Sequence, residues 1–478
     1  MKADADRKVK KMKSIKIAEI IKAVDGRLLS GDAMARVTGV TTDSRKVAPG
    51  DLFIALIGDN HDGHDYIDIA IEQGCAAVMA SRPIDRFVAP GSQLSVGCII
   101  VEDTLKGLQD LARYYISLFK VKKIAVTGST GKTTTKEMLY SVFSEKYRTV
   151  RNMGNYNNHI GLPLTIFSVG EEHEAGIFEM GMSGLGEIDL MAHILKPDVG
   201  VITNIGLSHV EKLGTRENIL KAKMEIANYF AKNGLLIVNG DDDFLRDIAN
   251  NELDYNVITV GCTSGCDAKI LAVKDFGEDG IRFDLEVQDK VESFSIKTPG
   301  RHNAYNAALA VVTGLVYEID MQTAARGLAK MEPADRRLRV RQAGGLKIID
   351  DTYNASPDSM KAAIDVLAGI NCKRRVAILA DMLELGDFEE NYHLEIGSYT
   401  VSKGVDLLIT VGEKARNIHL GAVGSMPEGN AVHFANKEEL LDRIGEIIHQ
   451  GDAVLVKGSR GMAMDRIVNR LLEENIKG

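Results

Sequence analysis

The sequence predicts an α/β protein of three domains, and three observations carry that reading. The chain is 478 residues long, more than one hydrophobic core holds, which points to roughly three domains. Short apolar runs of strand type alternate with helical runs along most of its length, the pattern of largely parallel sheets covered by helices. Between Lys122 and Phe143 a strand, a glycine-rich turn and a helix follow one another, and the turn closes on Gly131-Lys132-Thr133.

Residues 1–12 read as a flexible basic tail, with Met12 an alternative start. Residues 13–103 read as a small N-terminal α/β domain. In it IKIAEIIKAV is a helix, DLFIALIG a strand, YIDIAIEQG a helix closed by Gly74, and AAVMAS and GCIIVED strands. A helix from about Thr104 to Phe119 opens a central domain over 104–335. There DVGVITNIG (198–206) and LLIVNGDDD (235–243) are buried strands, and the helix between them starts near Thr215, an N-cap residue type, with Glu217 in its first turn. From Cys262 to Pro299 the pattern turns β-rich, with IRFDLEV and VESFSIK as an antiparallel flank, and RHNAYNAALAVVTGLVY follows as a helix. Residues 336–478 restart the alternation as a doubly wound, Rossmann-like domain. LKIIDD, RVAILAD, DLLITVG and AVLVKGS are its strands, and Ser356-Pro357-Asp358 is a strong helix start. No G-x-G-x-x-G follows its first strand, so it is not read as a dinucleotide site.

Composition narrows the function. A hydrophobic fraction of 45% and a charged fraction of 26% are those of a soluble globular protein. The net charge of −9 argues against a general nucleic-acid surface. The five cysteines are odd in number and scattered, which fits a reducing cytoplasm better than a disulfide framework. Cys262 and Cys266 lack a second pair and read as incidental thiols. No apolar run reaches membrane-spanning length, and the basic N-terminus lacks a signal peptide's apolar region. Nothing requires more than a monomer.

The glycine-rich turn carries the chemistry. Backbone N–H groups at a helix start, with the positive end of the helix dipole, bind polyphosphate. Lys132 would meet the outer phosphates, and the Thr133 hydroxyl would hold Mg²⁺. The loop is shorter than G-x-x-x-x-G-K-[ST], since Val126 stands where the first glycine would be and Gly128 is the first one present. Ligands of open parallel sheets sit beyond the C-terminal strand ends, where Glu179 and His209 join Thr133 in a credible Mg²⁺ environment. Taken singly, Glu179 reads equally as a solvated strand-end acid and His209 as a loop histidine. Lys221 and Lys223 by default form a solvated lysine face. Asn157 and Asn158 lie in a Gly/Asn-rich turn, which they stabilise or where they meet a polar ligand.

TGSTGKTTT, GNYNNHIGLP, FEMGMSGLGEI, TNIGLSHVEKLGT, KAKMEI, GRHNAYNAALA, DDTYNASPDSM, ADMLELG and LVKGSR occur in that order. Together with TTDSRKVAPGDLFIAL near the N-terminus they closely resemble the ATP-dependent Mur ligases of peptidoglycan precursor synthesis. Within that family the pattern resembles the type that adds D-Ala-D-Ala to UDP-MurNAc-tripeptide. The resemblance implies an N-terminal UDP-sugar-binding domain, ATP and Mg²⁺ as cofactors, and an acyl-phosphate intermediate. It implies a phosphate loop of Gly128, Ser129, Thr130, Gly131, Lys132, Thr133 and Thr134. Thr133 and Glu179 would hold the ATP magnesium, and His209 would join Glu179 at a second one. Lys223 matches the lysine that relatives carry as a carbamate. His302, Asn303 and Asn306 match an adenine-side motif, and Arg337 and Asp351 match residues that reach the nucleotide when the domains close. Ser44 and Asn158, with Asn157 beside it, match the UDP-sugar side. Lys457, Ser459 and Arg460 lie in a late loop expected near the dipeptide. Arg336 stands where the family carries Gly, which leaves Arg336 and Arg337 as alternatives. The D-N-P-R motif of the sister enzyme adding meso-diaminopimelate is absent, and the UDP-binding unit argues against a folylpolyglutamate synthetase-like ligase.

Overall fold

The structure, a computed structural model, describes residues 12–88 and 95–473. The tail expected over residues 1–11 lies outside the described residues. Met12 is not part of a tail, because it is only 7% exposed and packs into a hydrophobic cluster with Ile15 and Ile17.

Three main sheets organise the described residues. The first has five strands in the order Arg27–Ser30, Gly97–Ile100, Ala77–Ala80, Asp51–Ile54 and Gly39–Thr41. Only its outer pair, Arg27–Ser30 with Gly97–Ile100, is antiparallel. The second has nine strands. Its parallel part runs Thr149–Arg151, Ala175–Glu179, Lys122–Thr127, Val199–Ile202, Leu235–Asn239, Asn256–Gly261 and Ala268–Asp275. Ile281–Val287 and Lys290–Ile296 extend it as the expected antiparallel flank. The third has six strands, ordered Arg339–Ala343, Leu346–Asp351, Asp452–Lys457, Arg374–Ala380, Leu407–Val411 and Ala431–Phe434. All are parallel but the first.

The inner parallel strands of each sheet are buried on both faces, which is why they read as continuous apolar runs, whereas the antiparallel flank of the central sheet alternates. Ile124 and Val126 pack on one side of the central sheet and Ala125 on the other. In the C-terminal sheet Val376 and Ile378 face one cluster while Ala377 and Leu379 face the other. Helices therefore cover both faces, the doubly wound arrangement.

The strand Lys122–Thr127 lies between Ala175–Glu179 and Val199–Ile202. The chain leaves it for the edge strand Thr149–Arg151 on one side and later crosses to Val199–Ile202 on the other. That reversal of strand order opens a crevice at the C-terminal ends, where ligands bind in open α/β sheets. The strand expected over 198–206 is shorter, ending at Ile202. Beyond it Thr203 and Asn204 turn their side chains onto the glycine-rich loop, with Thr203 Oγ1 donating to Thr130 O at 2.5 Å. Short or edge strands such as Gly39–Thr41 and Thr149–Arg151 carry too few apolar residues to stand out in the sequence.

Candidate active site

The glycine-rich loop is held from beneath by Asn204. Its backbone carbonyl accepts the Ser129 N–H at 3.0 Å, and its Oδ1 accepts the Thr130 N–H at 2.9 Å. Gly128 sits at φ +149°, and a Cβ there would lie 1.8 Å from Thr203 Oγ1, so only glycine fits. Gly131, at φ +79°, opens the helix Lys132–Phe143 and backs onto Asn306, whose Oδ1 would be 2.7 Å from an added Cβ. The first intrahelical bond is Thr135 N–H to Gly131 O, 2.8 Å. The donors before it have no partner within the helix and face the crevice with the positive end of the dipole.

Lys132 folds back over this loop, donating to Gly128 O at 2.6 Å and Ser129 O at 3.2 Å. Burial, with Arg337 nearby, pushes its pKa down to about 8 against the opposing pull of Glu179. A lysine destabilised in this way is a cation waiting for an anion. Thr133 donates to Glu179 Oε1 at 3.2 Å, and Asn157 Nδ2 donates to the same oxygen at 2.8 Å. Asn152 bonds both the N–H and the carbonyl of Glu179. Glu179 Oε2 is buried without a hydrogen-bond partner, and Lys136 Nζ, itself 1% exposed, lies 3.7 Å away. A hydroxyl and a carboxylate with one orphaned oxygen suit a hard divalent cation. Among the described residues no cluster of three or more His, Cys, Asp or Glu forms a metal site. Mg²⁺ commonly takes one or two carboxylates plus substrate phosphates, and this donor set fits that mode.

The expectation of a solvated lysine face on the helix Arg216–Met224 fails for one of its two lysines. Lys221 is exposed, but Lys223 is 1% exposed. The helix turns Lys223 inward, where burial, reinforced by the charge of Lys132, drives its pKa well below the ordinary lysine range. A buried amine that prefers to be neutral is the form that reacts with CO₂. His209 lines the cleft, with Nδ1 2.6 Å from Glu384 Oε2.

The opposite wall comes from the C-terminal sheet. Arg337 and Asp351 line the same cleft of about 610 Å³ as Lys132. Arg337 stacks 4.1 Å over the Tyr353 ring, whereas Arg336 turns away to pair with Asp465 at 3.1 Å. Geometry thus favours Arg337 of the two. Lys457 is 2% exposed and donates to Asp351 Oδ2 at 2.5 Å and Asn354 O at 2.8 Å. Burial lowers its pKa despite that partner. Lys457 therefore belongs to the wall facing the glycine-rich loop. His302, whose pKa burial lowers, Asn303 and Asn306 also reach the cleft. The hydrogen bonds of the two asparagines run to Pro299 O at 2.7 Å and to each other at 2.9 Å, which makes them a brace for Gly131. Asn158 lines the cleft, and its Oδ1 accepts the N–H groups of Ile160 and Gly161.

The cleft does not gather every expected residue. Ser44 sits in a short turn, Ser44–Lys46, of the N-terminal unit, outside the cleft lining. Ser459 is buried, its Oγ accepting the Leu383 N–H at 2.9 Å, and Arg460 is exposed. Cys262 Sγ contacts Tyr305 OH at 3.1 Å, and Cys266 Sγ contacts Thr263 Oγ1 at 3.2 Å. Sequence reading passed over Asn204, Asn152, Lys136, Tyr353 and Glu384. All but Asn152 and Lys136 lie inside the quoted motifs, which was the available signal. Lys136 follows the loop by one helical turn, where lysine is ordinarily solvated.

Comparison with known proteins covers the three units. Residues 126–314 match the Mur ligase middle domain, 336–460 the Mur ligase glutamate ligase domain, and 36–115 the Mur ligase family catalytic domain. The UDP-N-acetylmuramoyl-tripeptide–D-alanyl-D-alanine ligase of Bacillus subtilis is 39% identical over 439 residues, 91% of this chain and 93% of that protein. The crystal structure of MurF from Acinetobacter baumannii aligns with a TM-score of 0.88 at 30% identity, covering 97% of this chain and 100% of that one. MurF ligase from Thermotoga maritima in complex with ADP aligns at 0.80 with 28% identity, covering 91% and 97%.

Proposed function

The chain belongs to the Mur ligase family, and on that premise we propose that it joins D-Ala-D-Ala to UDP-MurNAc-tripeptide with cleavage of ATP, giving the pentapeptide precursor of peptidoglycan. The observation that carries the reading is a single cleft with the phosphate loop on one wall and Arg337, Asp351 and Lys457 on the other. Relatives of matching length bear that activity in their names.

The chemistry has one obstacle. A carboxylate must approach the γ-phosphate, anion toward anion. Lys132, the loop N–H groups and Arg337 surround that position with positive charge in a crevice where water screens little. The tripeptide's terminal carboxylate oxygen attacks the γ-phosphorus and ADP departs, leaving an acyl phosphate. The dipeptide amine attacks the acyl carbon and loses a proton. The tetrahedral intermediate then expels phosphate, which keeps one oxygen of the original carboxylate. Mg²⁺, held by Thr133 and Glu179 with His209 and carbamylated Lys223 as further ligands, would supply charge neutralisation at the phosphate oxygens. Ser44 and Asn158 serve the UDP-sugar in this reading, and Ser459 and Arg460 the dipeptide side.

No helix among the described residues is long and apolar enough to cross a membrane. A nucleotide-linked substrate and ATP as co-substrate suit a cytoplasmic enzyme working as a monomer. The test is incubation with ATP, Mg²⁺, UDP-MurNAc-tripeptide and D-Ala-D-Ala, followed by product mass. The expected product gains one dipeptide less water and needs both substrates. No product with either the lysine or the meso-diaminopimelate tripeptide would reassign the chain to another step of the family.

A further inference from the structure

One contact to the cleft comes from outside its lining. His209 stands on the central unit and Glu384 on the C-terminal unit, and their side chains meet at 2.6 Å through Nδ1 and Oε2. The backbone adds a second tie, with Glu211 N–H donating to Glu384 O at 3.3 Å. Both partners hold left-handed backbone, His209 at φ +67° and Glu384 at φ +65°. Neither is glycine, so each conformation is strained and persists only where its surroundings over-determine it.

The loop presenting Glu384 is firmly anchored. Met382 N–H donates to His393 Nε2 at 3.0 Å, Leu383 N–H to Ser459 Oγ at 2.9 Å, and Met382 and Leu385 are buried. Gly386, at φ +54°, packs 3.3 Å from Glu211 Cα measured from an added Cβ. The helix that His209 begins, Val210–Leu213, is a single turn, too short to hold the histidine by itself. Nδ1 lies against the carboxylate as an ion-pair contact, without the alignment of a hydrogen bond, which leaves Nε2 as the ring nitrogen for another partner, as in carboxylate–histidine pairs elsewhere.

We propose that Glu384 is a positioning residue that orients His209, so that the histidine is set for its work only when the C-terminal unit is seated against the central one. The proposal rests on the ligase reading for what His209 does, but the contact itself does not. Its consequence is that domain seating and completion of the site are one event.

The test is a double-mutant cycle in the full-length enzyme, with hydrogen exchange alongside. Glu384→Ala is expected to lower kcat about 10- to 100-fold while the KM for ATP stays near the wild-type value. Glu384→Asn, which tolerates left-handed backbone but is too short to reach His209, should do the same and covers the case where Glu384→Ala folds poorly. In a His209→Asn background the same changes should cost almost nothing further, because the group they act through is gone. Additive losses in the cycle would overturn the proposal, since a purely structural role does not need His209. Wild-type turnover is measured first. Its absence would count against the ligase reading, and exchange at residues 207–214 would then decide the contact. Faster exchange there in Glu384→Ala supports it, and unchanged exchange overturns it.

Discussion

Lys132→Met separates what the site needs from what the fold needs. Burial in the cleft wall pushes this ammonium down to about 8 from an ordinary 10.5. At about 1.4 kcal/mol per unit, keeping it charged at neutral pH costs on the order of 3 kcal/mol. Against that, methionine forfeits the two bonds to Gly128 O and Ser129 O, each worth about 1 kcal/mol net. The unliganded variant should therefore be at least as stable as the wild type, with a slightly higher thermal midpoint. The pH dependence has a definite sign. Below pH 8 both folded and unfolded chains carry the proton, and the penalty is fully present. Between about 8 and 10.5 the unfolded chain binds it and the folded chain does not, so wild-type stability from this group rises with pH and the variant's advantage shrinks. Activity should move the opposite way, because loss of a charge facing the transferring phosphoryl group costs about 10²- to 10³-fold. Scanning calorimetry from pH 7 to 10 and steady-state phosphate release provide the assay. A variant that melts well below the wild type while still turning over would refute the reasoning.

Gly128→Ala drives a Cβ to 1.8 Å from Thr203 Oγ1 and should abolish ADP binding by calorimetry; unchanged affinity would mean the loop does not cradle phosphate. Lys223→Ala should lose turnover, and a carbamate ¹³C signal, expected in wild type under ¹³C-bicarbonate, should be missing from the variant; its absence from the wild type would remove the carbamate. Arg337→Ala should raise the KM for ATP. Arg336→Gly should leave turnover intact and relieve a strained φ of +57° worth about 1 kcal/mol; the reverse ranking of the two arginines would exchange their roles.

The three-domain α/β fold was readable because its inner strands are buried on both faces and several of its helices start at strong caps. Thr215 accepts the Asn218 N–H, and Ser356-Pro357 opens Pro357–Gly369, both as the residue types imply. The phosphate loop was readable because glycine positions and a following lysine are a local signal. Burial of a single charged side chain was not. Lys221 and Lys223 differ by two positions on one helix, and only the tertiary packing decides that one faces water and the other faces Lys132. Long-range contacts were equally hidden, since the pairs Glu384 with His209, across two units, and Lys457 with Asp351, within one sheet, join segments more than a hundred residues apart. The short edge strands escaped because three or four residues carry no usable periodicity.

The central claim is that the cleft drives amide formation through an acyl phosphate, and isotope transfer tests it most directly. UDP-MurNAc-tripeptide labelled with ¹⁸O in its terminal carboxylate is converted with ATP and D-Ala-D-Ala, and the released phosphate is analysed by mass. One ¹⁸O from each labelled carboxylate should appear in phosphate and the other should remain in the new amide. Phosphate free of label, with ligation intact, would show that the carboxylate never attacked the γ-phosphorus and would contradict the account.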